Sequence, residues 1–409
     1  LKVYTLSNAS TCVIRDLQLV GLSDSTSGNT VRGFKLINLL DSKISNVKVT
    51  NCSYAGIALA QCFHTTLDNC HVQEDMFNDH GGDYGLLMGN SWHVNVNSGS
   101  YVAARHGIAT GGGAGIGCVT NRFIKYSNLF VGTTPLDEGD IGSSGAMDTH
   151  GNSEYISVDN CTIDGGVTLS GDYISFTNNF IVGLSVGHAL FYGAEPKGMN
   201  FNLSNNTMET KYHGSTRGTF FDLGGNTTAL GEDTVSGGDL IIKDNVMRFL
   251  GDTPAVVDAN PSHWIQIVDR GWAGLENINI SIEGNKVSYP DDNPGRECVI
   301  HTGAGTSASV IFKDIVFSNN TCTNCGGIYA THSSDAAKAI AENCTVVGNT
   351  ITTANNHITM EGIYLYRVLH STIVKDNYLF RVTITPILVR GGTGGQGKLA
   401  VISGNTTKE

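Results

Sequence analysis

Apolar and polar residues alternate with period two in short runs, and one short phrase recurs along the chain: apolar, any, any, Asn or Cys, any, apolar. It reads Leu67-Asp-Asn-Cys-His-Val72, Val158-Asp-Asn-Cys-Thr-Ile163, Ile242-Lys-Asp-Asn-Val-Met247 and Phe317-Ser-Asn-Asn-Thr-Cys322. An earlier copy is Val49-Thr-Asn-Cys-Ser-Tyr54. The fourth position of the phrase falls at Leu17, Cys52, Cys70, Gly99, Leu129, Cys161, Asn179, Asn206, Asn245, Asn285, Asn320, Asn349, Asn377 and Asn405. Consecutive slots lie between 18 and 40 residues apart. A fixed phrase with variable gaps predicts a coiled strand whose turns carry loops of different lengths. The period of two excludes a helical repeat.

The expectation is therefore an all-β chain, a single-stranded parallel β-helix of about 13–14 turns, each adding a rung of about 4.8 Å. It is expected to run from about Val13 to Ser403 as one domain spanning 1–409. At a bend between stacked strands, an inward Asn can hydrogen-bond the backbone of the next turn. That bond contributes roughly 0.5–1.5 kcal/mol, whereas a buried unpaired amide costs about 1–3 kcal/mol. Cys52, Cys70 and Cys161 read as small core fillers in the same slot, free of disulfides. Sequons such as Asn160-Cys-Thr follow from the ladder rather than from glycan attachment.

Composition narrows the class. Of 409 residues, 51 are Gly and 7 are Pro; charged residues are 15% and hydrophobic ones 40%. So few charges disfavour helix surfaces, and so many apolar residues exclude disorder. Lys plus Arg is 25 against 37 for Asp plus Glu, a net charge of −12. An acidic chain is a poor nucleic-acid or anionic-membrane binder. No apolar run is long enough to span a bilayer. The chain opens at Leu1 in strand-like sequence and is expected to be the central fragment of a longer protein.

A second strand precedes most slots: Gly56-Ile-Ala-Leu-Ala60, Gly85-Leu-Leu-Met-Gly89, Gly107-Ile-Ala-Thr-Gly111 and Ala146-Met-Asp-Thr-His150. Placing Ile57, Leu86, Ile108 and Met147 inward puts Ala58, Leu87, Ala109 and Asp148 on the outer face, with His150 beyond. Arg105 and His106 open the adjacent rung, and Asp83 and Tyr84 hold the matching places one rung earlier. This is where basic and acidic groups converge. Arg is a bidentate carboxylate or phosphate clamp. His exchanges a proton near neutral pH, and Asp beside it fixes its tautomer or acts as acid, base or nucleophile. Arg105, His106, Asp148 and His150 are the candidate catalytic set, with Asp83 and Tyr84 as substrate-binding candidates. A one-residue slip in register would reverse every side chain. Lone His188, His301 and His332 read as structural. Gly111-Gly-Gly-Ala-Gly-Ile-Gly117 reads as a bend, since no phosphate-loop Lys follows. Cys322 and Cys325 lack the second pair that zinc requires.

The ladder phrases, with Tyr101-Val-Ala-Ala-Arg-His-Gly-Ile-Ala-Thr110 and Met147-Asp-Thr-His150, resemble the pectate-lyase-like right-handed parallel β-helix of bacteriophage tailspikes and capsule depolymerases. The resemblance implies a homotrimeric virion-tail protein that binds and cuts a host surface polysaccharide, acting outside the cell without a cofactor, nucleic acid or membrane insertion. The runner-up location is a secreted bacterial enzyme. Neither the stacked Asp cluster of calcium-dependent pectate lyases nor the paired-Asp and Gly-His-Gly pattern of polygalacturonases is found. Elimination needs Arg105 on a uronate carboxylate and a His as base. Hydrolysis needs two carboxyl groups roughly 5–9.5 Å apart, with Asp83, Asp137, Glu138 or Asp140 as partner to Asp148. Elimination is favoured because the register places only Asp148. The alternatives are a non-catalytic glycan-binding spike or adhesin, and cleavage of a phosphodiester-linked polymer such as teichoic acid.

Overall fold

The structure, a computed structural model, describes residues 10–21, 32–52, 54–73, 84–110, 121–133, 145–149, 153–183, 189–193, 200–210, 220–225, 235–250, 263–269, 275–291, 295–302, 310–332, 339–353, 361–382, 385–390 and 399–408. Those residues form β-strands and no helix. The strands pair in parallel with the equivalent strand of the next turn, which is the right-handed parallel β-helix expected. The chain divides into two compact units, Leu1–Phe180 and Ile181–Glu409.

In the first unit each turn supplies a long strand and a short one. The long strands Val13–Val20, Lys43–Thr50, Thr66–Gln73, Trp92–Ala103 and Arg122–Thr133 stack on one another. Each bends about a residue in the left-handed region: Asp16, Asn46, Asn69, Ser98 and Asn128, with φ between 50° and 58°. Asn and Asp tolerate this conformation better than other side chains do, which is why the phrase carries them just before its slot.

The slot column runs Leu17, Val47, Cys70, Gly99, Leu129, Cys161, because Leu17 pairs with Val47, Lys48 with His71, Cys70 with Gly99, and Gly99 with Leu129. Cys52 is not in it, contrary to the sequence reading. Asn51 is also left-handed, with φ 57°, but at a different corner. The phrase therefore marks any left-handed corner followed by a buried small residue. Cys52, Cys70 and Cys161 are buried free thiols, and burial pushes Cys161 up to about 11.

The short strands Ala55–Ala60, Tyr84–Gly89, His106–Thr110 and Met147–Thr149 hold the expected register. Ile57, Leu86, Ile108 and Met147 stack inward and are fully buried. At the entry to these strands Gly85 lies against Gly107, and a Cβ on either would strike backbone: the Gly107 carbonyl in one case, the Tyr101 carbonyl in the other. Only Gly lets the turns approach this closely. At the corner after the short strands, His93, Phe123, Tyr155 and Tyr173 are left-handed too. Their rings stack at 4.6, 4.7 and 4.6 Å, close to the rung spacing, and the stacking offsets part of the backbone strain.

In the second unit the ladder is all Asn. Asn206, Asn245, Asn285, Asn320, Asn349 and Asn377 are buried. The Oδ1 of Asn285 accepts from both the backbone N–H and the Nδ2 of Asn245, at 3.1 and 2.9 Å. Its own Nδ2 donates to the Ile242 carbonyl at 2.9 Å. The same set repeats at Asn320, Asn349, Asn377 and Asn405. Each ladder amide from Asn245 to Asn377 is thus satisfied by its neighbours above and below.

Candidate functional site

The outer face of the short strands in the first unit carries Ala58, Leu87, Ala109 and Asp148 in one register column. His106 opens its strand opposite Tyr84. The imidazole and the Tyr84 ring stack with centroids 5.7 Å apart at 24°, and the Arg105 guanidinium lies 5.5 Å from the Tyr84 centroid. His106 Nε2 is 3.6 Å from Asp148 Oδ2. The two side chains are 7% and 14% exposed, so the carboxylate is the more accessible partner. The sequence-predicted convergence of Arg105, His106 and Asp148 with Tyr84 is thus observed, and the register has not slipped.

One hydrogen bond decides the proton arrangement. His106 Nδ1 is 2.6 Å from the Gly145 carbonyl oxygen, which only accepts, so Nδ1 carries a proton and donates. Nε2 then faces a carboxylate oxygen. If neither group held a second proton, two lone pairs would oppose each other. At 3.6 Å the two groups are beyond hydrogen-bond distance, and they form an ion pair only when the ring carries both protons. Nδ1 faces Gly145 and Nε2 faces Asp148, so both ring nitrogens point at protein groups. Asp148 is the atom set that faces outward.

Asp83 and His150 lie outside the described residues, as do Asp137, Glu138 and Asp140. Tyr101, which belongs to the quoted motif, is a fully buried core residue and not part of the site. Among the described residues no cluster of His, Cys, Asp and Glu is arranged to hold a metal ion.

Two features escaped the sequence reading. Asp164 ends the strand Thr162–Asp164, opposite Gly132, and leads into the rung after Asp148 through Gly165, which packs against Ala146. Partial desolvation raises its carboxyl above the ordinary value, although the residue itself is exposed. The second feature is in the other unit. His263 stands opposite Arg296, and its Nδ1 is 3.1 Å from the Glu297 carbonyl oxygen. Glu297 is 1% exposed, and its carboxylate lies 3.2 Å from Arg296 Nη2. Desolvation, with Arg296 nearby, lowers His263 to about 4. The only signal in sequence was Gly295-Arg-Glu-Cys298, more than thirty residues after the His.

A family model described as Gp49, pectin lyase-like, matches residues 50–324. No curated protein matches the chain. Among solved structures, the tailspike gp61 of Pseudomonas phage phi297 superposes with a TM-score of 0.51 at 16% identity, over 76% of this chain and 47% of that one. The tailspike protein gp49 of Pseudomonas phage LKA1 gives 0.47 at 19% identity over 84% and 50%. The Gp54 tailspike of Acinetobacter baumannii bacteriophage AP22, solved with a capsular saccharide, gives 0.48 at 14% over 86% and 50%. The chain thus spans about half the length of the solved structures it resembles, and the first of them supports the fold. With two thirds of its length matched by the family model, the chain belongs to the Gp49 pectin lyase-like family.

Proposed function

We propose that this chain is the β-helical body of a phage tailspike depolymerase that cleaves a bacterial surface polysaccharide by elimination at Asp148, with His106 as the group that shares its proton. The single observation that carries the reading is the Gly145–His106–Asp148 relay. The carbonyl accepts from the Nδ1 N–H, which leaves Nε2 turned toward the ionised Asp148 carboxylate as the group that receives its proton and returns it. Asp148 takes the proton from the carbon next to a uronate carboxyl group. The electron pair released forms a carbon–carbon double bond as the glycosidic carbon–oxygen bond breaks, and the departing oxygen takes the proton back from the Asp148–His106 pair. Arg105, beside Tyr84, clamps the uronate carboxylate and disperses the charge that develops there. Family membership and the tailspike fold of the phi297 neighbour support the polymer-processing role.

Hydrolysis is the second reading, and Asp164 favours it. A carboxyl group whose pKa is raised is better suited to general-acid work, with Asp148 as the second carboxyl that hydrolysis needs. Mass analysis of fragments released from host capsule separates the two. Elimination yields a product with the ultraviolet absorbance of an unsaturated uronate and no added water. Fragments heavier by one water show hydrolysis, and intact polymer rejects both in favour of a binding spike.

A further inference from the structure

In the second unit the equivalent outer face is built differently. The strands Cys298–Thr302, Ile328–His332, Glu361–Tyr366 and Thr385–Arg390 stack in parallel. Ile328, Ala330, Ile363 and Leu365 point inward and are fully buried, so alternation sends Tyr329, Tyr364 and Tyr366 outward. Tyr329 and Tyr364 are register partners whose rings stack at 4.5 Å and 19°. The Tyr366 ring lies 6.5 Å from Tyr364 at 47°. The Arg367 guanidinium covers Tyr366 at 4.5 Å, and Arg390 stands opposite Tyr366 on the next rung.

We infer that this face is a second, non-catalytic binding site for an acidic polysaccharide chain, gripped by Tyr329, Tyr364, Tyr366 and Arg390, with Arg367 holding the Tyr366 ring from behind. Three observations point to that ligand. First, the tyrosines are half-buried and absent from the exposed large hydrophobic residues, so the face is not the broad apolar patch that a protein partner covers. It presents ring edges and hydroxyl groups, matching the alternation of C–H faces and hydroxyls on a sugar chain. Second, Arg390 is exposed, a permanent cation on a chain of net charge −12, whereas Arg367 is only 9% exposed and backs the Tyr366 ring. A bare acidic surface repels a polyanion, and an exposed guanidinium fork captures its carboxylates. Third, Arg367 is held at φ 67°, a strained conformation for a long side chain, which places its guanidinium back on Tyr366. The site rests on the reading that the chain engages an acidic glycan, and adds that holding and cutting occur at separate places.

The test uses the full chain carrying Asp148→Asn, which removes turnover, in affinity electrophoresis through gels containing alginate, polygalacturonate, hyaluronate, heparosan or host capsule. A second set of gels holds the carboxyl-reduced polymers. Expected is retardation by at least one acidic polymer, lost on carboxyl reduction and weakened at least tenfold in Kd by Tyr364→Ala and by Arg390→Gln. Tyr364→Phe, which keeps the ring and the fold, should weaken it less. Equal retardation of the Arg390→Gln and parent proteins overturns the inference, as does no retardation by any polymer. Retardation abolished by Arg105→Ala alone also overturns it, since binding would then belong to the first unit. Continued cleavage by the Asp148→Asn protein would instead overturn the catalytic reading, and leaves the binding comparison readable.

Discussion

His106 and His263 hold similar places in their turns, each two residues before a buried isoleucine of a short strand, Ile108 in one unit and Ile265 in the other. Each lies within hydrogen-bond distance, through Nδ1, of a carbonyl in the following turn. Each has a carboxylate nearby. What separates them is the second neighbour of that carboxylate. Asp148 is reached by an imidazole and opens to the surface, whereas Glu297 is 1% exposed and held by Arg296. A carboxylate with a permanent cation keeps its charge and has no proton to trade. One that shares a proton with an imidazole can take and return it. The fold supplies a position, and the partner decides whether it becomes chemistry or masonry.

The largest effect should come from Asp148→Asn, which keeps the volume and removes the charge. Turnover on host glycan should fall by about 10²–10⁴-fold, the usual contribution of a general acid–base group. Thermal unfolding should move little, because the exchange keeps the shape of a side chain that is partly exposed. Unchanged turnover in the folded variant would erase the contrast between the two sites.

The reverse pattern is expected at Glu297→Gln. Removing one partner of a buried ion pair should cost about 3 kcal/mol of unfolding free energy, read from the denaturant midpoint. Turnover per folded molecule should stay at the parent value. A large loss of activity without loss of stability would make Glu297 part of the chemistry.

Titration sharpens the comparison further. His263 is lowered to about 4 in the folded chain, against an ordinary value near 6.5. Between those values the unfolded chain binds a proton that the folded one refuses, so stability falls as pH drops from about 6.5 to 4, by at most about 1.4 kcal/mol per pH unit from this group. His263→Gln should flatten that slope in denaturation curves taken across the window. An unaltered slope would assign the acid sensitivity elsewhere.

The smallest effect is specific to substrate. Arg105→Lys keeps a positive charge but loses the planar fork, and should reduce kcat/KM about tenfold, roughly 1.4 kcal/mol, on a uronate polymer. Carboxyl-reduced polymer should be handled equally poorly by both proteins.

How far these features could be read in advance depended on whether they repeat. The Asn column from Asn206 to Asn405 was legible because each copy pairs a left-handed Asn, Asp or Gly with a buried amide, and both requirements leave a mark in sequence. At Cys52 the same mark misled, since Asn51 turns a different corner. The Arg105, His106 and Asp148 register was recoverable because four short strands share their inward residues. The contact between His263 and Glu297 was not. It depends on how many residues separate two rungs, a length the local pattern does not encode. Asp164 was missed for another reason, because it is an exposed strand-end residue whose place before the next rung comes from the turn at Gly165.

The Asn ladder also bears on how such a chain could grow or shrink. Each ladder amide presents an acceptor to one side and a donor to the other, as Asn285 does toward Asn245 and Asn320. Excising the whole stretch from one ladder Asn to the next leaves an acceptor and a donor that are complementary, so the cut ends meet without an orphaned amide. Excising half a turn does not. Gene duplications and deletions that respect this unit cost only one rung of contacts. Lengthening or shortening the coil by whole turns is then open to evolution, and to a protein engineer choosing where to splice.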